Sequence, residues 1–229
     1  MKRGALLLLT AVLTAQSAPE VEITAEPHHH LAFANKQVRV FTVEIAPRSE
    51  TLMHVHHHDY IYVNLGAAEV VNDVKGKNPV TVKLQDGDTN FLAAGFAHMA
   101  RNLSTQPFRD VIIELLQDDK LRHSPGHWDE ERGLDILQGG TKEILFVKDG
   151  VRVSEFELQP GATIPKHHHP GPRLLVAVSD LDLRSDVEGQ GPMSGHFKSG
   201  DAKWLPSGYP RTLTNTGQHL AKFVTLEFP

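Results

Sequence analysis

His54-Val55-His56-His57-His58-Asp59-Tyr60 is answered downstream by Gly87-Asp88-Thr89-Asn90-Phe91-Leu92-Ala93-Ala94-Gly95-Phe96-Ala97-His98. The first stretch offers imidazoles at alternate positions of an extended segment. Side chains two apart on a strand share a face, so His54 and His56 can meet one ligand, while His57 points away. The second stretch brings His98 in on a glycine-punctuated turn. Three convergent neutral imidazoles suit a transition metal ion. A patch of exposed histidines is the plainer reading, but it leaves the spacing of Gly87, Gly95, His98 and Asn102 without a cause.

That spacing carries a resemblance. His54, His56 and Gly66 fall at the fixed places of a His-x-His motif that continues with a Glu and then a Gly, although Tyr60 stands where the Glu belongs at the shorter spacing. Gly87, Gly95, His98 and Asn102 fit a second motif of Gly, Pro-x-Gly, His and Asn, with Ala93 in place of the Pro. Together they resemble the two motifs of the cupin superfamily. The resemblance implies His54, His56 and His98 as ligands of one divalent transition metal, which could be iron, manganese, copper, nickel or zinc. The missing Glu removes a negative charge and a general base, yet the family includes oxygenases that use three His and no Glu. Tyr60 is then a candidate catalytic phenol or a packing residue. His58 shares the parity of His54 and His56 and is an alternate ligand. Asp59 is another, if a bulge swings it inward.

The surrounding chain reads as β-structure. Val38 to Ile45 alternates and is rich in branched residues, and Tyr60 to Leu65, Glu69 to Val71, Val80 to Leu84, Asn90 to Leu92 and Phe108 to Leu116 follow, with Gly, Pro and Asp between them. The pattern then recurs. Val38-Arg39-Val40 returns as Val151-Arg152-Val153, and His54 and His56 return as His167 and His169. Gly87-Asp88 returns as Gly200-Asp201, Gly95 as Gly208, Asn102 as Asn215, Pro47 as Pro160 and Glu114 as Glu227. Every pair is 113 positions apart, which marks a tandem duplication. The expected fold is all-β. By resemblance it is a bicupin of two tandem small antiparallel jelly-roll barrels, each with strands buried on one face. Residues 18–116 would form the first barrel with the metal site, 117–140 a linker and 141–229 a second barrel with a degenerate motif. Within the linker, Trp128 to Gly133 could hold one helical turn, and His123 and His127 are expected to be exposed.

The second copy keeps His167 and His169 but has Arg173 at the Glu place and Arg211 at the motif-two His place. A guanidinium has no lone pair and repels a cation, so this barrel should hold no metal. Two Arg beside two His could hold a carboxylate or phosphate. A barrel kept for stability, with both Arg reaching solvent, is the favoured expectation. Pro27-His28-His29-His30 opens the mature chain and is expected to be a solvated segment. On an extended strand, His28 and His30 would share a face and could approach the site.

Composition bounds the function. The 229 residues are 40% hydrophobic and 22% charged, enough for a real core, and contain fifteen His and no Cys. Absence of Cys excludes disulfides and thiol nucleophiles. A net charge of −5 without a basic run argues against a nucleic-acid partner. Lys2-Arg3, the apolar Ala5 to Leu13 and the small residues of Ala15-Gln16-Ser17 read as a signal peptide over residues 1–17. The mature protein would be periplasmic or secreted, without a membrane span. The expected activity is a three-His dioxygenase acting on a small organic molecule, with Phe91, Leu92, Phe96 and Met99 shaping its pocket. The competing expectation is a binding protein with a structural metal and an anionic or sugar-like ligand. A homodimer is compatible with either.

Overall fold

Branched and aromatic residues at alternating positions, broken every few residues by Gly, Pro or Asp, give many short strands. The computed structural model describes residues 19–116, 128–129, 133–208 and 210–229, the pair at 128–129 by its backbone alone. The first half contains β1 (Val21–Glu22), a 3-10 turn (Ile23–Ala25), β2 (His29–Ala34), β3 (Val38–Ile45), β4 (His54–Val55) and β5 (Tyr60–Leu65). It continues with β6 (Ala68–Val74), β7 (Val80–Leu84), β8 (Thr89–Leu92), β9 (Ala97–Asn102) and β10 (Phe108–Leu115). The second half contains β11 (Trp128–Asp129), β12 (Gly133–Leu137), β13 (Gly140–Lys148), β14 (Val151–Leu158), β15 (Thr163–His167) and β16 (Arg173–Ala177). Then come β17 (Leu181–Val187), β18 (Met193–Phe197), β19 (Ala202–Leu205), β20 (Arg211–Asn215) and β21 (Ala221–Glu227).

Each half closes as two facing sheets. In the first they run β1-β4-β9-β6-β7 and β2-β3-β10-β5-β8. In the second they run β11-β13-β14-β21-β16-β19, with β12 on β13, and β15-β20-β17-β18. The pairs are antiparallel except β1 on β4. The repeat extends to turns: Gly87 and Gly200 sit at φ +86 and +96, where a side chain would strain the backbone.

The expectation of strands buried on one face fails for the central sheets. In β3, Phe41, Val43 and Ile45 pack inside the first barrel while Val38 and Val40 join a core shared with the second. Ile61, Val63, Val111 and Ile113 meet Val151, Val153, Leu174, Val176, Val224 and Leu226 there. The barrels therefore stand face to face across a dry layer, and strands between two cores are apolar on both faces. The inner residues of the second barrel, Phe156, Leu175, Leu183 and Phe223 among them, form its own core.

The leader reading and most of the expected linker fall outside the described residues, as do His123 and His127. Residues 133–140, placed in the linker by the sequence, instead form a hairpin, with Gly133–Leu137 folding back on β13 through a turn at 138–139. Trp128–Asp129, expected to begin a helical turn, pairs with Lys148 and Val147.

Candidate metal centre

Four imidazoles meet in the first barrel. β4 and β9 place His54 directly opposite His98. The strand ends at Val55, but the chain stays extended and His56 follows His54 inside. The His54 ring lies 5.2 Å from that of His56 and 4.5 Å from that of His98, and His56 and His98 are 5.3 Å apart. Two bonds hold the motif-two turn on this segment, from Gly95 N–H to His56 O at 3.0 Å and from Ala94 N–H to Asp59 Oδ1 at 2.7 Å. The fourth ring is His29. One ligand atom from each of His29, His54 and His56 lies within 4.8 Å of the others.

His29 corrects the expectation of a solvated His28-His29-His30. It is 9% exposed, because its place opposite Val43 on β3 faces the barrel interior. His30 is exposed, and His28 lies half-buried against Glu26. Glu26 is buried and accepts bonds from His29 Nδ1 at 2.6 Å, His28 Nδ1 at 2.9 Å, His28 N–H at 2.8 Å and Leu52 N–H at 3.1 Å. Burial alone would raise its carboxyl, but these donors outweigh it and hold the group well below the usual carboxylate range.

The hydrogen bonds also fix which nitrogen of each ring is free. His54 Nδ1 donates to Leu52 O and His98 Nδ1 donates to Asn72 Oδ1, each at 2.9 Å. His29 Nδ1 donates to Glu26. In all three the lone pair is then on Nε2. His54 Nε2 and His98 Nε2 are buried and no protein group reaches them. Burial draws His54 down to about 4, with His29 pushing the same way. Burial draws His98 well below the ordinary imidazole value, helped by His54 and His56. Burial also lowers His56, although Glu114 opposes it. His56 Nδ1 stands 3.7 Å from Glu114 Oε1, beyond hydrogen-bond length, so that contact is electrostatic. Arg39 fixes Glu114 with Nε at 2.7 Å and Nη2 at 2.6 Å. Neutral, oriented imidazoles with partnerless buried lone pairs fit a divalent metal, and a carboxylate behind a ligating His is the usual support for one.

Other expected residues take other places. Tyr60 stacks on His56 at 4.0 Å and is buried, with its phenol pushed up by burial and by Asp110. Asp59 is not a replacement carboxylate, since its Oδ1 is committed to Ala94. His57 is exposed and bonds Glu22 at 2.9 Å, and His58 does not line the cavity. That cavity is about 270 Å³, lined by Val43, Ile45, Val70, Leu84, Leu92 and Ile112 together with Asp110, Tyr60 and Tyr62. Of the four expected pocket residues only Leu92 lines it. Phe91 has the opposite parity and packs at the inter-barrel core, Phe96 sits edge-on to His98 at 5.4 Å, and Met99 falls on the other face of β9. Sequence reasoning missed Glu26, His29, Asn72 and Asp110. For Arg39 and Glu114 a signal existed, because both recur 113 positions on as Arg152 and Glu227.

No family model matches the chain, and no curated protein sequence does. Solved structures do. The oxalate decarboxylase of Lactobacillus farciminis, in a formate complex, covers 85% of this chain and 78% of its own at 13% identity and TM-score 0.61. A Bacillus subtilis oxalate decarboxylase structure concerned with its Mn(II) centres covers 90% and 75% at 12% identity and TM-score 0.60. The chain has the bicupin fold. AerE from Microcystis aeruginosa is a further match, at 14% identity and TM-score 0.60, covering 88% of this chain and 97% of its own.

The second barrel of this bicupin repeats the scaffold of the centre without its ligand set. His169 Nδ1 lies 3.1 Å from Glu227, and Arg152 lies 3.8 Å from the same carboxylate, as His56, Glu114 and Arg39 are grouped in the first barrel. The places of His29, Tyr60 and His98 hold Lys142, Arg173 and Arg211. The expectation that both Arg reach solvent is corrected for Arg173, which is 5% exposed because its strand faces it inward beside Leu175.

Proposed function

We propose that this bicupin is an extracytoplasmic metal-dependent enzyme with one metal centre, in the first barrel, acting as a dioxygenase on a small organic substrate. The observation that carries the reading is the His54 ring set against those of His29, His56 and His98, two of the four imidazoles having buried Nε2 lone pairs that no protein group meets. His54, His56 and His98 would hold the ion with His29 as a fourth ligand, and the ion would supply Lewis-acid and one-electron chemistry at that point. The chain's own residues do the rest. Glu26 and Asn72 orient the rings. The aliphatic wall keeps the space beside the rings largely apolar, and a cavity of about 270 Å³ suits a small organic substrate. Burial pushes Asp110 up to about 8, so it carries a proton at neutral pH and can donate it into the cavity. Tyr60 stays a neutral phenol against His56. The N-terminal pattern of Lys2-Arg3 and Ala5 to Leu13 supports export.

Two alternatives have support of their own. The oxalate decarboxylase neighbours suggest a lyase that handles a small carboxylate. The cationic cavity of the second barrel favours a binding protein with a structural metal. Metal content per chain, on protein prepared without a His tag, tests the common premise. We expect about one equivalent, its loss in His98→Ala, and roughly 10- to 100-fold weaker binding in Glu26→Gln by chelator competition. Equal metal in wild type and His98→Ala defeats the assignment. Oxygen uptake on a substrate panel supports the dioxygenase, turnover without uptake the lyase, and metal that only raises the melting temperature the binding protein.

A further inference from the structure

The second barrel encloses a cavity of about 370 Å³. Its two sheets bring Arg173 on β16 and Arg211 on β20 to the same space, with His167 and His169 beside them. Arg173 Nη1, Ser185 Oγ and Thr225 Oγ1 are buried without a partner, and all three residues line this cavity. Among its described lining residues there is no carboxylate. Glu227, whose charge acts on Arg173, lies outside the lining and is engaged by His169 and Arg152. Burial and the neighbouring Arg211 lower Arg173 to about 10, against the pull of Glu227, and it remains charged at neutral pH. A buried guanidinium with an open N–H and no counter-ion in its cavity calls for an anion.

The rest of the wall decides which anion. Phe156, Leu175, Leu213 and Phe223 make a continuous apolar surface behind the cations. A bare phosphate or sulfate would leave that surface unused.

We infer that the second barrel binds a small organic carboxylate, its charged head on Arg173 and Arg211 and its apolar body against Leu175, Leu213 and Phe223. Ser185 and Thr225 supply hydroxyls to a polar substituent on that body. The site stands independently of the metal reading, since no residue is shared.

Calorimetric titration of the full chain with benzoate, hexanoate, benzamide and inorganic phosphate tests it. Benzoate or hexanoate should bind at one per chain, with benzamide and phosphate each at least about 10-fold weaker. Arg173→Gln and Arg211→Gln should each weaken the carboxylate by about 30-fold or more. His98→Ala, in the other barrel, should leave its affinity unchanged. Arg211 is only half-buried, so its variant tests the site even if Arg173→Gln fails to fold. The inference is overturned if neither carboxylate binds, if benzamide or phosphate binds as well as benzoate, or if Arg211→Gln keeps full affinity. It is overturned equally if His98→Ala loses the binding, which would move the carboxylate to the first barrel without touching the metal assignment.

Discussion

Glu26 orients two histidines and caps two backbone N–H groups at once, and that makes a short N-terminal segment part of the site. The same neighbourhood sets how the metal-free protein responds to acid. His54 has its ordinary value of 6.5 when unfolded and about 4 when folded. Between those values the unfolded chain takes a proton that the folded chain refuses, so stability present above pH 6.5 is lost as pH falls through that window. His56 and His98 are lowered as well and act in the same direction. Asp110 opposes them, because its folded carboxyl, raised from 3.8 to about 8, holds a proton that the unfolded one releases. Three histidines outweigh one aspartate. Urea unfolding of chelator-treated protein should therefore show a loss of stability from pH 6.5 to 5, and Asp110→Asn should make that loss steeper. A profile flat over this range in both proteins contradicts the burial of neutral imidazoles.

At the scale of elements, the two copies are braced alike. Asn102 Nδ2 donates to Ile45 O at 3.1 Å and Gln106 O at 2.8 Å, while its Oδ1 accepts from Ser104 N–H at 2.8 Å. Asn215 Nδ2 donates to Leu158 O at 2.9 Å and His219 O at 2.8 Å, while its Oδ1 accepts from Gly217 N–H at 2.9 Å. Each therefore ties the end of a strand to a neighbouring turn inside the barrel. Asn102→Ala and Asn215→Ala should each cost about 2–4 kcal/mol, because buried carbonyl and N–H groups are left without partners. Denaturant titration checks this. A cost under about 0.5 kcal/mol for either would mean that water replaces the brace there.

At the scale of the molecule, the layer between the barrels is as dry as their interiors, and Ile113 and Val63 are fully buried in it. The halves should therefore melt together. Ile113→Asp places an unpaired carboxyl in that layer and should destabilise the chain by about 3–5 kcal/mol. Trp204, packed on the same layer from the second barrel, supplies a probe there. Its fluorescence should change at the same midpoint as the far-ultraviolet signal, in both wild type and variant. Separate midpoints would show that the barrels fold independently.

The sequence by itself determined the all-β class and the duplication, because these rest on local alternation and on one constant spacing that a single chain displays; that His98 joins His54 and His56 was implied by their resemblance to the cupin motifs. It also marked Arg173 and Arg211 as unfit for metal, since a guanidinium lacks a lone pair wherever it lies. Tertiary structure alone decided the rest. His29 looked like one of three solvated histidines until its pairing opposite Val43 turned it inward, and Glu26 had no visible partner until the chain folded back on it. Asn72 reaches His98 across a sheet, and Asp110 owes its proton to burial that no neighbour in sequence reveals. Strand periodicity says which residues share a face. Which face is covered, and by what, is set by contacts between residues far apart in the chain.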